Sequence, residues 1–172
     1  VVTFRFTVPL FVRGQHHRHR TWSYNEISRR YTDVNIQFYE PPEFRTQHKS
    51  NRQASNEGET INPKIDVYDP RCSQPLNIAA SELVKKHHKD ALKIFDDLIA
   101  NGVCREQARG ILPQNLYTQY YGTVNLNNLI KFINLRDDDH AQWEIQKVAQ
   151  ACKEIATELW PVAMKTYNEL KN

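Results

Sequence analysis

The sequence predicts an α+β fold, with a mixed or antiparallel sheet packed against several helices and a long helix near the C-terminus. Three observations predict it. Two runs rich in β-branched and aromatic residues, VVTFRFTV at the start and NLYTQYYGTVN after Pro113, have the composition of strands. Apolar residues recur at helical spacing over several other stretches. Strands and helices follow one another without a regular βαβ alternation, which favours α+β over α/β.

In chain order, Thr3, Arg5 and Thr7 alternate with Val2, Phe4 and Phe6, the period of a half-buried strand over residues 1–8. Pro9 suits a first helical turn, so a helix is expected from there to about Arg20. TWSYNEISRRY mixes turn formers with charges and reads as a polar turn, and VNIQFYE as a second strand ended by Pro41 and Pro42. Residues 43–76 carry almost no apolar periodicity and much Asn, Gln, Ser, Lys and Pro, so they read as a long loop, partly disordered. From Ala79 to Ala100 the set Leu83, Val84, Ala91, Leu92, Ile94, Phe95, Leu98 and Ile99 marks a helix, with Asn101-Gly102 as its stop. A short helix, REQARGIL, ends before Pro113, and the strand NLYTQYYGTVN follows. Leu126, Leu129, Ile130 and Ile133 mark a further helix. A long one is expected from about Asp139 to Leu159, with Ile145, Val148, Ala149, Cys152, Ile155, Ala156 and Leu159 on one face. Pro161 interrupts it before a last amphipathic turn or two.

A chain of 172 residues suffices for one domain, burying roughly 70% of the surface its unfolded form exposes. Hydrophobic residues at 40% and charged ones at 25%, with only 5 Gly and 8 Pro, exclude disordered and fibrous classes. A net charge of +3 is too small for a general nucleic-acid binder. The N-terminal region nevertheless concentrates Arg5, Arg13, Arg18, Arg20, Arg29 and Arg30 around a single acid, Glu26, and this local field suits a phosphorylated small molecule. Cys72, Cys104 and Cys152 are odd in number, widely spaced and without a C-x-x-C pair, which points to a reducing, cytoplasmic compartment. No apolar run approaches the ~20 residues of a membrane span. The chain opens on Val1 in mid-strand, so an upstream portion is expected.

The densest chemistry lies in Gln15-His16-His17-Arg18-His19-Arg20 and Asn25-Glu26-Ile27-Ser28-Arg29-Arg30-Tyr31. Guanidinium groups bind phosphate bidentately, and a neighbouring serine hydroxyl adds a neutral donor. Glu26 can accept from ribose hydroxyls or hold the arginines apart. A solvated basic helix face is the alternative reading of the same residues. A metal site is not expected, since His16, His17 and His19 would fan around a helix instead of sharing a face at i and i+4. If Arg18 and Arg20 are both helical, they point about 200° apart and serve different ligands, or different parts of one.

Arg18-His19-Arg20, seven residues and Ser28 reproduce the R-H-R-x7-S signature, and RHRTWSYNEISRRY as a whole resembles the flavin-dependent thymidylate synthases. The similarity resumes at Ala108-Arg109, in Leu112 to Thr118, in Thr123 to Asn125 and in Asn134 to Gln146. It implies one domain over 1–172 that lacks the family's N-terminal part, with 43–76 as an insertion. It also implies reductive methylation of dUMP to dTMP, with methylenetetrahydrofolate as carbon donor, FAD as hydride carrier and NADPH as reductant. By that likeness Gln15, Arg18, Glu26, Ser28, Arg30, Arg109 and Arg136 contact dUMP. Arg18, His19, Arg20, Glu26, Asn125 and His140 contact FAD, and Asn127 and Lys131 stand where relatives often place Arg and Asn around the flavin. His140 is expected to begin the long helix. Arg136 is the expected electrostatic catalyst, stabilising enolate-like charge on the uracil ring; a salt bridge to Asp137, Asp138 or Asp139 is the alternative. The resemblance further implies a homotetramer with sites between subunits, and leaves as rivals a nucleic-acid-binding module and an inactive relative.

Overall fold

A computed structural model describes residues 1–28, 36–41, 43–50 and 55–171. The sheet that organises it has strand order β1-β7-β2, where β1 is Val2–Pro9, β2 is Ser23–Glu26 and β7 is Tyr117–Val124, all antiparallel. The expected alternation holds in β1: Phe4, Phe6 and Val8 are buried while Thr3, Arg5 and Thr7 face out. β7 is central, and its inward set is Thr118, Tyr120, Gly122 and Val124. Its register places Phe6 opposite Tyr120 and Tyr24 opposite Gly122.

Helices cover this inward face. α1 (Leu10–His16) follows β1 directly, α4 (Leu126–Arg136) follows β7, and α5 (Trp143–Leu159) and α6 (Pro161–Lys171) close the C-terminal half. Phe4, Phe6, Trp22 and Tyr120 of the sheet region pack with Leu129, Phe132 and Ile133 of α4, Ile145, Ala149, Cys152 and Ala156 of α5, and Met164 of α6. A smaller cluster forms where α2 (Ala80–Ala100) meets α3 (Arg105–Ala108) and the 3-10 turn Arg109–Ile111, around Phe95, Ala108, Leu112 and Leu116. α2 ends in a Schellman arrangement: Gly102 adopts φ +86°, its N–H reaches Ile99 O at 3.0 Å, and Val103 N–H reaches Leu98 O at 3.0 Å.

Gly122 is a close-approach position. A Cβ there would stand 2.9 Å from Phe6 Cε2 and 3.2 Å from Trp22 Cε3, and both rings are locked in the core. Gly122→Ala is therefore expected to destabilise the fold by about 1–3 kcal/mol, read as a lower urea midpoint at unchanged m-value.

Several expectations need correction. The helix begun at Pro9 stops at His16, so Arg18 and Arg20 are not helical and the argument from their divergent directions falls. The polar turn contains β2, a strand added to β7. Within the expected strand at 34–40, the described part forms an isolated bridge, Phe38 to Leu116, flanked by bonds from Tyr39 N–H to Asn115 O and from Tyr117 N–H to Gln37 O. The stretch expected as a loop, 43–76, instead forms β3 (Phe44–Gln47) paired with β4 (Ser55–Ile61), and β5 (Lys64–Val67), which pairs with β6 (Leu76–Ala79) at and beyond its end, all antiparallel. The long helix begins at Trp143, not Asp139, so His140 lies in the turn before it. Along α5, Ile145, Ala149, Cys152 and Ala156 define the buried stripe, whereas Ile155, about 90° off it, and Leu159, the last residue of the helix, are exposed.

Candidate active site

α1 ends where burial requires the chain to turn back. His16 is fully buried, and Trp22, six positions on, must enter the same core against Phe4, Phe6 and Phe132. Successive turns bridge them, with Arg18 N–H bonded to Gln15 O at 3.3 Å and His19 N–H to His16 O at 2.9 Å. The Tyr24 hydroxyl, from β2, shares its proton between His16 O at 2.8 Å and His19 O at 3.2 Å, which braces the turn that follows α1. The turn between them carries Arg18 and Arg20, both exposed.

On one side of α1 lies a cleft of about 460 Å³ lined by Arg13, Glu26, Ser28, Arg109 and Thr118, with Leu10, Leu112 and Leu116 as an apolar wall. Glu26 Oε1 accepts from Arg13 Nε at 3.1 Å and from Thr118 Oγ1 at 2.7 Å. Three expected nucleotide contacts from distant parts of the chain, Glu26, Ser28 and Arg109, thus meet in one place. Arg13 and Thr118 were not singled out from sequence; Arg13 was visible only as one of many cations, and Thr118 only as a strand residue.

A second cluster forms around Arg136. Its Nε donates to His19 Nε2 at 3.1 Å and its Nη2 to the Gln15 carbonyl at 3.5 Å. Arginine offers only donors, so His19 is neutral with its proton on Nδ1. Burial, and then the Arg136 charge, lower the His19 pKa in agreement. Of the three acids suggested as salt-bridge partners, Asp137 is held by Lys153 at 3.0 Å and Asp138 by His140 at 2.9 Å. The Gln15 carboxamide donates to Gln142 Oε1, Gln142 Nε2 donates to Glu144 Oε2 at 2.9 Å, and Glu144 Oε1 accepts from Arg45 at 2.7 Å and Tyr39 at 3.2 Å. Gln142 and Glu144 lie inside the stretch Asn134 to Gln146 that carries the family resemblance, but neither was singled out from sequence.

The other expected residues are spread more widely. Asn125 is the N-cap of α4, its Oδ1 accepting from Asn128 N–H at 2.9 Å. Asn127 and Lys131 are exposed one turn apart on α4. His140 is exposed, with its N–H and Nδ1 both at 2.9 Å from Asp138 Oδ1. Arg30 lies outside the described residues.

The three clustered histidines have separate tasks. His16 Nδ1 is 2.7 Å from the Tyr120 hydroxyl inside a cage of Phe6, Trp22, Tyr24 and Phe132, and burial above all, with positive neighbours next, lowers its pKa to about 3. His17 stacks on Tyr24 with centroids 4.1 Å apart. Cys152 is in the core, where burial pushes its thiol up to about 12, so it is no nucleophile at neutral pH. Among the described residues no helix is long and apolar enough to cross a membrane.

Comparison with known proteins gives the family. The family described as thymidylate synthase complementing protein matches residues 1–162. A flavin-dependent thymidylate synthase of Thermus thermophilus is 41% identical over 171 residues, covering 98% of this chain and 57% of that protein. Another, from Thermosipho africanus, is 37% identical over 167 residues, covering 97% of this chain and 68% of its own length. A crystal structure of the UMP/dUMP methylase PolB from Streptomyces cacaoi, bound with 5-Br dUMP, superposes with a TM-score of 0.74 at 27% identity, over 97% of this chain and 70% of that one. The chain thus spans little more than half the length of its Thermus relative. On the match over residues 1–162 and these identities, the chain belongs to the thymidylate synthase complementing protein family.

Proposed function

We propose that this chain serves FAD-dependent thymidylate synthesis, the reductive methylation of dUMP to dTMP with methylenetetrahydrofolate as carbon donor and NADPH as reductant. The observation that carries the reading is the meeting of Glu26, Ser28 and Arg109 in one cleft beside Arg13. The names of the Thermus and Thermosipho relatives, and the nucleotide bound to the Streptomyces methylase, point the same way.

In the cleft, Arg109 supplies a permanent charge and a planar fork for a nucleotide phosphate, with Ser28 as a neutral donor. Arg13 and Thr118 hold the Glu26 carboxylate in place as an acceptor for sugar hydroxyls. Arg18 and Arg30 complete the dUMP set. The donors present also fit FAD: Arg18 and Arg20 are permanent cations on a braced turn, suited to a diphosphate, and His19 is neutral beside them. Glu26, Asn125, Asn127, Lys131 and His140 extend that surface. When bound, the reduced flavin supplies a hydride. Arg136 spends one N–H on His19 and one on the Gln15 carbonyl, which leaves other donors of its fork for the carbonyl oxygens of a uracil ring. There it stabilises negative charge as it develops, an effect often worth about 3 kcal/mol per well-placed donor.

The same reading makes the assembly a homotetramer with sites between subunits, in a reducing cytoplasm. Freshly purified protein should show oxidised-flavin absorption, and should form dTMP from dUMP only when methylenetetrahydrofolate and NADPH are both supplied. A colourless protein that added FAD does not reconstitute, and that yields no dTMP, would remove the proposal. Steeply salt-dependent binding to RNA or DNA by such a protein would favour the nucleic-acid-binding alternative.

A further inference from the structure

The chain of side chains from Glu144 to Gln15 has a direction that chemistry imposes. A primary amide looks nearly the same either way round, and its orientation is settled by the groups it meets. Glu144, as a carboxylate, can only accept. Burial opposes its charge, yet hydrogen bonds from Arg45, from its own backbone N–H and from Gln142 hold its carboxyl below the usual range. Arg45 and Tyr39 occupy Oε1, so Oε2 is the atom that meets Gln142. Gln142 must therefore turn its NH2 toward Glu144 and its oxygen toward Gln15. Gln15 in turn must present its NH2 to Gln142. The Gln15 carboxamide oxygen is thus the end left over, and no described residue donates to it.

We propose that Glu144 is a positioning residue: through Gln142 it fixes the Gln15 carboxamide with its oxygen toward the nucleotide, so that the site selects a base offering an imide N–H over one offering a ring-nitrogen acceptor. The inference rests on the dUMP site proposed above. An amide oxygen repels phosphate and calls for a donor, and the ring N–H of uracil is one. The neighbouring group agrees, because the Arg136 guanidinium is bonded to the carbonyl of Gln15 itself. An acceptor beside a donor fork complements an N–H flanked by carbonyl oxygens. Cytosine carries an acceptor at the same ring position and meets the Gln15 oxygen unfavourably. The hairpin β3–β4 acquires a part in this arrangement, since its Arg45 holds Oε1 at 2.7 Å and lies over the Trp143 ring at 5.0 Å.

Glu144→Gln keeps the shape and abolishes the accept-only end, so both amides down the chain are free to turn over. Gln142→Leu cuts the relay and leaves the Glu144–Arg45 pair intact, which guards against misfolding from an unpaired Arg45. Binding of dUMP and dCMP to the purified wild type and both variants would be measured by calorimetry. The expected result is that dUMP affinity changes less than about threefold, dCMP affinity rises, and the dUMP-to-dCMP preference falls about tenfold, as when a polar contact that rejects the wrong ligand is lost. A purely structural role would weaken both nucleotides together and leave the ratio where it was. An unchanged ratio in both variants, with wild type preferring dUMP, overturns this inference and leaves the proposed function standing. Wild-type protein that binds neither nucleotide overturns both.

Discussion

Replacing Arg136 by Ala should lower turnover by about two to three orders of magnitude, with a much smaller loss of bound flavin. The expectation follows from what holds the side chain. Its observed partners are a neutral histidine and a backbone carbonyl, neither of which neutralises it, so its charge is left for a ligand. Burial lowers the Arg136 pKa, but from a starting point so high that the group stays a cation at any pH where the fold survives. A cation in a partly desolvated position acts on charge that appears in the reaction and much less on the resting ligands, so the loss should fall on kcat. Arg136→Lys should recover part of the rate, because it restores the charge without the fork. Steady-state kinetics would be read beside the flavin-to-protein absorbance ratio. If Arg136→Ala loses flavin in proportion to activity, the residue belongs to cofactor binding and its assignment to uracil is wrong.

Stability should decline as pH falls from 7 to 5, and His16 should account for about 2 kcal/mol of the decline. In the fold its pKa is lowered to about 3 from 6.5, first because burial penalises the charged ring and then because a charged ring would be repelled by His19 and His17 once they protonate and by Arg136. Below pH 6.5 the unfolded chain takes up a proton that the native state refuses, so unfolding is favoured by at most about 1.4 kcal/mol per pH unit until the native ring also protonates near pH 3. The stability is therefore present above the unfolded value and lost across the window from 6.5 down to about 3. Burial lowers the pKa values of His17 and His19 too, so they add to the decline with the same sign. Urea unfolding at pH 7 and pH 5 measures it, and that range spares most carboxylates. His16→Gln, which cannot protonate, should show a shallower decline by about the stated amount. Equal declines in variant and wild type would mean that His16 protonates in the native state, against its full burial in the aromatic cage.

Much of the scaffold is legible because its signals are local. β1 alternates with period two, β7 is dense in aromatic and β-branched residues, α2 and α4 carry an apolar stripe, Asn101-Gly102 stops α2, and none of these depends on a distant partner. The N-terminal arginine motif and its spacing to Ser28 were equally visible, since residue types and intervals belong to the sequence alone. The length of α1 was not. Nothing within residues 10–20 stops the helix; it stops because Trp22 must reach the core and because Tyr24 waits to hold the carbonyls of His16 and His19. The strands β2 to β6 escaped notice for a related reason. Runs of four to seven residues, several of them mostly polar, are too short to stand as a periodic signal and become strands through pairing, β2 on β7, β3 with β4 and β5 with β6. The start of α5 shifted by one turn, which put His140 on an exposed turn instead of a helix.

The sequence by itself determined the repertoire of this protein: its arginines, its strand and helix periods, and a motif interval that marks the family. Tertiary structure alone decided which of those groups meet. Arg13 joins Glu26, and Arg136 passes over the nearby aspartates for His19 and the Gln15 carbonyl. Glu144 reaches Gln15 through Gln142 across 129 positions of chain. The physical reason is that hydrogen bonds and charges act over a few ångströms in space and carry no period along the chain. A side chain's partner follows from how the helices pack on the sheet, and only the packed core sets that.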